Sequence, residues 1–184
     1  MPVSQKKALR VQMKERRAML FQQYPEAGEH IKALFFESFE YLPQSIVGGY
    51  WPMGSELDIK PLLYKLIEKE FSVTLPCITP EGLMFRLWTP STPLEKGAFQ
   101  ALEPPLTAPC AIPDVLLVPL LAFDREGHRL GYGQGHFDRF LHLHKVLTIG
   151  IGFKGQEVDQ IPRQAHDFSL DTILTEEGVI LKNL

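Results

Sequence analysis

Residues 115–141 constrain the fold of this 184-residue chain more than any other segment. They open with an apolar run, residues 115–123, whose lack of alternation is typical of a strand buried on both faces of a parallel sheet. Pro119 cannot donate a hydrogen bond to a neighbouring strand, so we expect a kink or a change of partner there. A polar turn, a glycine-rich loop and an amphipathic segment follow. The order predicted is therefore strand, turn, loop and helix.

The glycine-rich loop predicts an anion site. Gly131, Gly133 and Gly135 leave backbone N–H groups unshielded by any side chain beyond Tyr132 and Gln134. The loop leads directly into the predicted helix, so its free N–H groups and the positive end of the helix dipole point to the same place. The GxGxG spacing matches neither a dinucleotide fingerprint nor a Walker A loop. Glycines alone would fit a tight strand-to-helix turn about as well as a phosphate site.

Charged residues on both sides of the loop favour phosphate as the ligand. Arg129 lies just before the loop and can pair with a phosphate, while Asp138 lies in the first turn after it and is a possible magnesium ligand. Asp138 has a simpler explanation as a carboxylate stabilised by the helix dipole, and the local sequence favours that explanation.

The same segment resembles the signature of the 5-formyltetrahydrofolate cyclo-ligase family, also called 5,10-methenyltetrahydrofolate synthetases. The run PLLAFDREGHRLGYGQGHFDRFL at 119–141 is close to the family pattern PGxAFDxxGxRLGxGxGYYDRxL. Further stretches fall in the family's order and spacing, at residues 50–58, 75–88, 97–105 and 155–179. The resemblance therefore covers nearly the whole chain.

The resemblance implies that ATP drives the cyclisation of 5-formyltetrahydrofolate to 5,10-methenyltetrahydrofolate, with Mg²⁺ required and ADP and phosphate released. It implies an ATP site with Arg129 as the catalytic residue and, around it, Lys6, Arg10, Leu130, Gly131, Tyr132, Gly133, Gln134, Gly135, His136 and Phe137. The implied folate contacts are Trp51, Met53, Glu56, Phe99, Tyr132 and His136. The implied magnesium ligands are Asp138 and Asp167.

The loop after the strand predicted at 45–50 lies where open α/β sheets bind ligands. There Trp51 and Met53 could form apolar walls, and the Glu56 carboxylate could accept the adjacent N–H and amino groups of a pterin. Trp51 could equally be ordinary core, and Glu56 could cap the helix predicted to begin near Asp58. The resemblance alone favours folate contacts for both.

A basic helix is predicted at residues 4–24, capped by Ser4. Its available apolar residues are Ala8, Leu9, Met13, Leu20 and Phe21. Lys6, Arg10 and Lys14 recur every four residues and share a face, which composition alone indicates to be solvated. Glu15 argues against a mitochondrial presequence. In the resemblance, Lys6 and Arg10 match a pair that contacts the phosphates of ATP.

The chain departs from the family pattern at two places. His136 and Phe137 stand where the family has two tyrosines, and Gln100 and Ala101 stand where it has Gly and Ile. His136 brings a titratable group to a helix N-terminus, where its cationic form is disfavoured. These departures leave room for weakened activity or a shifted substrate preference.

Strands and helices alternate through most of the sequence, which predicts a three-layer α/β/α fold with a largely parallel sheet. The resemblance implies a fold like that of ribose-phosphate isomerase and the CoA transferases. The remaining predicted helices are 27–41, 58–70 and 137–144; the strands are 71–75, 83–88, 146–151 and a final one at 171–175; residues 89–113 are predicted as a long loop. A chain of this length predicts a single domain, 1–184.

Composition narrows the partners and the location. A net charge of −3 gives no electrostatic reason to expect nucleic acid. Cys77 and Cys110 lack CxxC spacing, which suits a reducing cytoplasm. No apolar run approaches the ~20 residues of a membrane helix. We therefore expect a soluble cytoplasmic monomer acting on small molecules, although the sequence does not determine its oligomeric state.

Three competing functions remain open at this point. A catalytically weakened or non-catalytic relative would bind folate or nucleotide without turnover. A sugar-phosphate or CoA enzyme on a similar fold would bind phosphate without depending on magnesium and ATP. A nucleic-acid binder acting through the basic helix would lose affinity steeply with salt.

Overall fold

The computed structural model describes residues 2–39, 45–164 and 167–181. In this part of the chain the helices are α1 (Pro2–Gln23), α2 (Ala27–Ser38), α3 (Lys60–Glu68) and α4 (His136–Leu143). The strands are β1 (Ile46–Gly48), β2 (Ser72–Thr79), β3 (Gly82–Trp88), β4 (Glu95–Lys96), β5 (Leu102–Glu103), β6 (Val115–Pro119), β7 (Ala122–Phe123), β8 (Arg129–Leu130), β9 (Leu147–Ile151), β10 (Thr172–Thr175) and β11 (Gly178–Leu181). Short 3-10 turns occupy Ala98–Gln100 and Lys154–Gln156.

Within the described residues, seven strands form one mostly parallel sheet in the order β11-β10-β9-β6-β1-β2-β3. The five inner strands run parallel, and β3 and β11 close the two edges as antiparallel hairpin partners of β2 and β10. β6 lies at the centre, with Val115 opposite both Val47 of β1 and Leu147 of β9. The predicted largely parallel sheet is confirmed.

The two faces of β6 show the three layers directly. Val115 and Leu117 pack with α2 and α3 in one buried cluster, whereas Leu116 and Val118 pack with Phe140 of α4 in another. Successive side chains of a strand point to opposite faces, so helices cover the sheet on both sides. This explains why residues 115–118 carry no polar alternation, and it confirms the α/β/α prediction.

Pro119 ends β6, and the chain changes partner as predicted. Leu121 donates its N–H to the carbonyl oxygen of Leu130 at 2.8 Å, and β7 then pairs with β8 in a separate hairpin. In the turn between them, Asp124 Oδ1 accepts the N–H groups of Glu126 and His128, each at 3.0 Å. This hairpin places Arg129 immediately before the glycine-rich loop.

Several predicted boundaries are wrong. α1 already begins at Pro2, so Ser4 lies inside its first turn and not before it. α3 begins at Lys60, two residues after Asp58, whose Oδ1 accepts the Lys60 N–H from outside the helix. The predicted end of the second helix at Tyr41 falls outside the described residues, and α2 ends at Ser38.

The sheet also extends further than the sequence indicated. β2 continues to Thr79 because it pairs with β3 from Val73–Trp88 to Thr79–Gly82. The predicted loop at 89–113 contains the short β4–β5 pair. The strand at Thr172–Thr175 is not the last one, because it turns back into β11. In the described part of the chain, no helix is both long and apolar enough to cross a membrane.

Candidate active site

A cleft of about 450 Å³ opens beyond the carboxyl ends of β1, β2 and β6. This is the edge at which open α/β sheets bind ligands. The structure places in its lining nearly all the residues predicted to bind ATP, folate or magnesium: Lys6, Arg10, Trp51, Met53, Glu56, Asp167 and the whole run 129–138. The prediction for Phe99 concerns a side chain outside the described part, although its neighbour Ala98 lines the cleft.

The glycine-rich loop is shaped by two of its three glycines. Gly133 and Gly135 have φ angles of +99° and +67°, values that side chains disfavour. A Cβ atom at Gly133 would also lie 3.1 Å from Cζ of Arg10, whereas a Cβ at Gly131 would meet nothing within 4 Å. Gly133 and Gly135 are thus required by the backbone, while the fold leaves position 131 open to a side chain.

α1 lies against this loop through its buried face. Arg10 Nε donates to the carbonyl oxygen of Gly131 at 2.9 Å, and Lys6 is only 6% exposed. The prediction of a solvated face is therefore wrong for Lys6 and Arg10, although Lys14 is exposed. Among the predicted apolar residues, Met13 and Leu20 are buried while Ala8 and Phe21 are exposed. The helix turns a mixed face of cations and apolar side chains inward.

Arg129 and Asp138 form an ion pair inside the cleft. Arg129 Nη2 donates to Asp138 Oδ1 at 3.0 Å, and the N–H of Phe168 donates to the same oxygen at 3.1 Å. Arg129 Nη1 also donates to the carbonyl oxygen of Phe168 at 3.1 Å. Burial lowers the pKa of the Arg129 guanidinium, and the carboxylates of Asp138 and Asp167 oppose that shift. Arg129 therefore stays a rigidly held cation.

Asp138 and Asp167 fit a magnesium site shared with phosphates better than an all-protein site. Both carboxylates line the cleft, and carboxylate oxygens are ligands that Mg²⁺ prefers. Within residues 2–39, 45–164 and 167–181, no group of three or more His, Cys, Asp or Glu side chains is arranged to hold a metal. Mg²⁺ commonly binds through one or two carboxylates plus substrate phosphates, and this donor set suits that arrangement.

Glu56 is buried and fixed at both carboxylate oxygens. It is 4% exposed; Oε1 accepts the Tyr132 hydroxyl at 2.7 Å and Oε2 accepts the Met53 N–H at 2.8 Å. Burial raises the pKa of Glu56, and these two hydrogen bonds together with the charge of Arg17 oppose the shift. Glu56 does not cap α3, whose N-cap position is Ile59. Its carboxylate faces the cleft instead.

Trp51 combines the two roles that the sequence left open. It is half-buried and lines the cleft, yet its ring also meets that of Trp88 edge-on, with centroids 5.5 Å apart. The ammonium group of Lys60 lies 5.6 Å from the Trp51 ring centroid. The indole is thus held by the core and still offers a surface to a ligand.

The departures from the family pattern have visible consequences. Burial and the neighbouring Arg139, whose Nη2 lies 3.0 Å from Nδ1, lower the pKa of His136. The predicted direction is thus confirmed, although the causes are burial and a cation. The ring of Phe137 packs edge-on against that of Phe85, with the ring centroids 6.5 Å apart. Gln100 has a φ angle of +64°, which explains why glycine suits that position better.

The cleft contains residues that the sequence analysis missed. Pro76, Ile78 and Leu83 form an apolar wall, and the buried Glu103, whose pKa is raised by burial, lies beside them. Arg17 does not line the cleft but donates to the hydroxyl of Tyr132 at 2.5 Å. Its position seven residues after Arg10 was the available signal, since that spacing returns to the same helix face.

The chain is similar to known proteins over most of its length. The sequence model of the 5-formyltetrahydrofolate cyclo-ligase family matches residues 2–176. The 5-formyltetrahydrofolate cyclo-ligase of Haemophilus influenzae is 32% identical over 135 residues, which cover 68% of this chain and 72% of the relative. The Escherichia coli K12 protein of the same name is 29% identical over 174 residues, covering 89% of this chain and 96% of the relative.

Two solved structures share the fold. The 5,10-methenyltetrahydrofolate synthetase of Aquifex aeolicus superposes with a TM-score of 0.85 at 29% identity, covering 97% of this chain and 93% of the other. The synthetase from Mycoplasma pneumoniae gives a TM-score of 0.72 at 21% identity, covering 91% and 96%. The second likeness bears on the fold alone.

Proposed function

The chain belongs to the 5-formyltetrahydrofolate cyclo-ligase family, and we propose that its cleft binds a reduced folate and ATP side by side for the reaction of this family. The reaction is the cyclisation of 5-formyltetrahydrofolate to 5,10-methenyltetrahydrofolate. The observation that carries the proposal is the pairing, in one cleft, of a buried carboxylate, Glu56, with the cations Lys6, Arg10 and Arg129 around a glycine-rich loop.

The chemical difficulty lies in the formyl group, whose amide-like oxygen leaves poorly. Attack of this oxygen on the γ-phosphorus of ATP forms an O–P bond and releases ADP. N10 then adds to the activated carbon and loses its proton, and phosphate departs as the C–O bond breaks. Such a phosphoryl transfer asks the protein for positioning and charge stabilisation, and it needs no nucleophilic side chain.

The nucleotide half of the proposed site uses the cations and the loop. Charge on the γ-phosphoryl oxygens is stabilised best by a cation that is held in place and shielded from water, and Arg129 is buried and paired with Asp138. We assign Arg129 the catalytic role. Lys6, Arg10 and the loop N–H groups would bind the remaining phosphate oxygens.

Magnesium fits the same half of the site. Asp138 and Asp167 would hold it, and the ion would neutralise phosphate charge when bound. In this structure the two carboxylates are paired with Arg129 and Lys6, the cations proposed for the phosphates. Phosphates that bind Lys6 would release Asp167 for the metal, while Asp138 uses only Oδ1 in its pair with Arg129.

The folate half centres on Glu56. A pterin offers an N–H and an amino group side by side, and an ionised carboxylate can accept both. Met53 and Trp51 line the cleft next to Glu56, and Tyr132 and His136 line it from the loop, with Phe99 proposed as a further contact. The apolar wall formed by Pro76, Ile78 and Leu83 would suit the flat ring system.

We propose a single domain, supported by a sheet whose strands come from residues 46 to 181. A cytoplasmic monomer that binds neither nucleic acid nor membranes is proposed from the composition, with a net charge of −3 and two free cysteines supporting it.

The decisive experiment follows the absorbance of 5,10-methenyltetrahydrofolate with 5-formyltetrahydrofolate, ATP and Mg²⁺ present, omitting each in turn. Product should form only in the complete mixture. Arg129→Ala should lower turnover strongly or raise the ATP KM, and unchanged kinetics would show that Arg129 has been misassigned. Saturable folate binding without any product would favour the non-catalytic alternative. The experiment must distinguish this alternative from the active enzyme because His136, Phe137 and Gln100 depart from the family pattern.

A further inference from the structure

Arg17 is a buried cation of α1 that does not belong to the proposed nucleotide site. It is 6% exposed, and its Nε donates to Ser55 Oγ at 3.1 Å while its Nη1 donates to the Tyr132 hydroxyl at 2.5 Å. Within the described residues it forms no ion pair with a carboxylate, since both of these contacts are to hydroxyl groups. A guanidinium that is buried against neutral hydroxyl groups needs a compensating negative charge nearby.

That charge is Glu56, reached through Tyr132. The Tyr132 hydroxyl accepts from Arg17 and donates to Glu56 Oε1 at 2.7 Å, so one hydroxyl joins the cation to the carboxylate. Hydrogen bonds in such a chain polarise one another, because each donor is made stronger by the bond that it accepts. The bond to the carboxylate is therefore strengthened by the guanidinium behind it.

The second oxygen of Glu56 is held by the N–H of Met53, so the carboxylate cannot rotate without losing a hydrogen bond. Each carboxylate oxygen has two acceptor sites. One site of each oxygen is used inside the protein, and the other remains for a ligand in the cleft that Glu56 lines.

We propose that Arg17 is a positioning residue for the folate substrate: acting through Tyr132, it keeps the Glu56 carboxylate ionised and aimed so that both oxygens can accept the adjacent donors of a pterin. This inference rests on the function proposed above and extends it to a residue outside the cleft. A protonated Glu56 would present its own O–H toward the pterin donors, so its ionisation decides whether the ring can bind.

The surroundings of Glu56 give Arg17 this effect. In the described part of the chain, the titratable groups beside the carboxylate are Tyr50 just after β1, Tyr132 from the loop and Arg17 from α1. Burial raises the pKa of both tyrosines, so both stay neutral. Arg17 is the cation among them. Removing Arg17 would raise the pKa of Glu56 further. As the pH falls, folate binding would then be lost at a higher pH than in the wild type.

The test compares Arg17→Met with Arg16→Met, an exposed neighbour on the same helix that serves as the control. Arg17→Met should raise the KM for 5-formyltetrahydrofolate about tenfold and leave the KM for ATP unchanged, as expected for loss of a charge-assisted contact. The acidic limb of kcat/KM for the folate should move to higher pH. Thermal unfolding of both variants establishes that they are folded.

Tyr132→Phe provides the second arm, because it removes only a hydroxyl from a ring that is 40% exposed and leaves the loop backbone intact. It should shift the acidic limb in the same direction, and adding Arg17→Met should then shift the limb less than Arg17→Met does in the wild type, since part of the effect of Arg17 passes through that hydroxyl. Additive effects, or an unmoved acidic limb in Tyr132→Phe, would overturn the inference. A wild-type protein that forms no product would instead contradict the proposed function, so the two failures are distinct.

Discussion

Lys6 and Asp167, separated by 161 positions in the sequence, meet in an ion pair with Lys6 Nζ 2.5 Å from Asp167 Oδ2. The two side chains are 7% and 18% exposed, so the pair is shielded from water. In the proposed mechanism Lys6 binds a phosphate and Asp167 binds magnesium. Each is therefore held, before any ligand arrives, by a group of the opposite charge that the ligand must replace.

Replacing Lys6 should weaken nucleotide binding. We expect Lys6→Met to raise the KM for ATP at least about tenfold, because a buried charge-assisted contact is worth roughly 1.5–3 kcal/mol. The KM for the folate should stay close to that of the wild type. Steady-state kinetics with varied ATP measure the effect, and Lys7→Met, at an exposed neighbouring position, is the control. Equal kinetics for the two variants would remove Lys6 from the nucleotide site.

Metal binding should depend on nucleotide. Because Asp138 and Asp167 are paired with Arg129 and Lys6, Mn²⁺ used as a probe should bind weakly to the protein alone and more tightly with a non-hydrolysable ATP analogue. Electron paramagnetic resonance of free Mn²⁺ reports both affinities. Lys6→Met should strengthen Mn²⁺ binding in the absence of nucleotide, since the Lys6 ammonium group no longer competes with the metal for Asp167. Tight binding by the unliganded wild type would contradict this view of the site.

The glycines of the loop should differ in their tolerance of a methyl group. Gly133→Ala places a side chain at a φ angle of +99° and close to Arg10, so the free energy of unfolding should fall by about 1–2 kcal/mol. A Cβ atom at position 131 would meet open space, so Gly131→Ala should change the free energy of unfolding by no more than about 0.5 kcal/mol. Urea denaturation measures both. If Gly131→Ala proved the more damaging, the described shape of the loop would be wrong.

His136 should be neutral at physiological pH, and Arg139 should be part of the reason. Burial and the adjacent Arg139 lower the pKa of His136, so Arg139→Gln should raise that pKa toward the usual value of about 6.5 without fully restoring it. The folded protein binds fewer protons here than the unfolded chain. The contribution of this group to stability is therefore intact above about pH 6.5 and is lost as the pH falls below it.

A titration of the histidine ring signals by NMR checks this expectation. The signal of His30, which lies on α2, should not respond to Arg139→Gln and provides an internal control. An unchanged His136 titration in the variant would show that burial acts alone.

The sequence predicts the centre of this fold well because its signals there are local. An apolar run such as 115–118 shows that a strand is covered on both sides, and Pro119 ends it for a reason contained in one residue. Gly133 and Gly135 likewise mark a backbone shape that other residues avoid. The order of strands and helices follows from such signals without knowledge of any long-range contact.

Burial of charged residues was not predictable in the same way. Lys6 and Arg17 look like members of a solvated basic face, and their burial depends on Asp167 and on the Tyr132–Glu56 bond, which lie far away in the sequence. The residue pattern of a helix shows which side chains share a face. It does not show what the rest of the chain places opposite that face.

The contact between α1 and the segment before β10 has a consequence for biosynthesis. Lys6 precedes Asp167 by 161 positions, so a nascent chain that has already paired β1, β2 and β6 still lacks Arg129, Asp138 and Asp167. Domains can begin to fold during synthesis. In this protein the ability to hold ATP would nevertheless arise only after translation has passed the final crossover into the sheet.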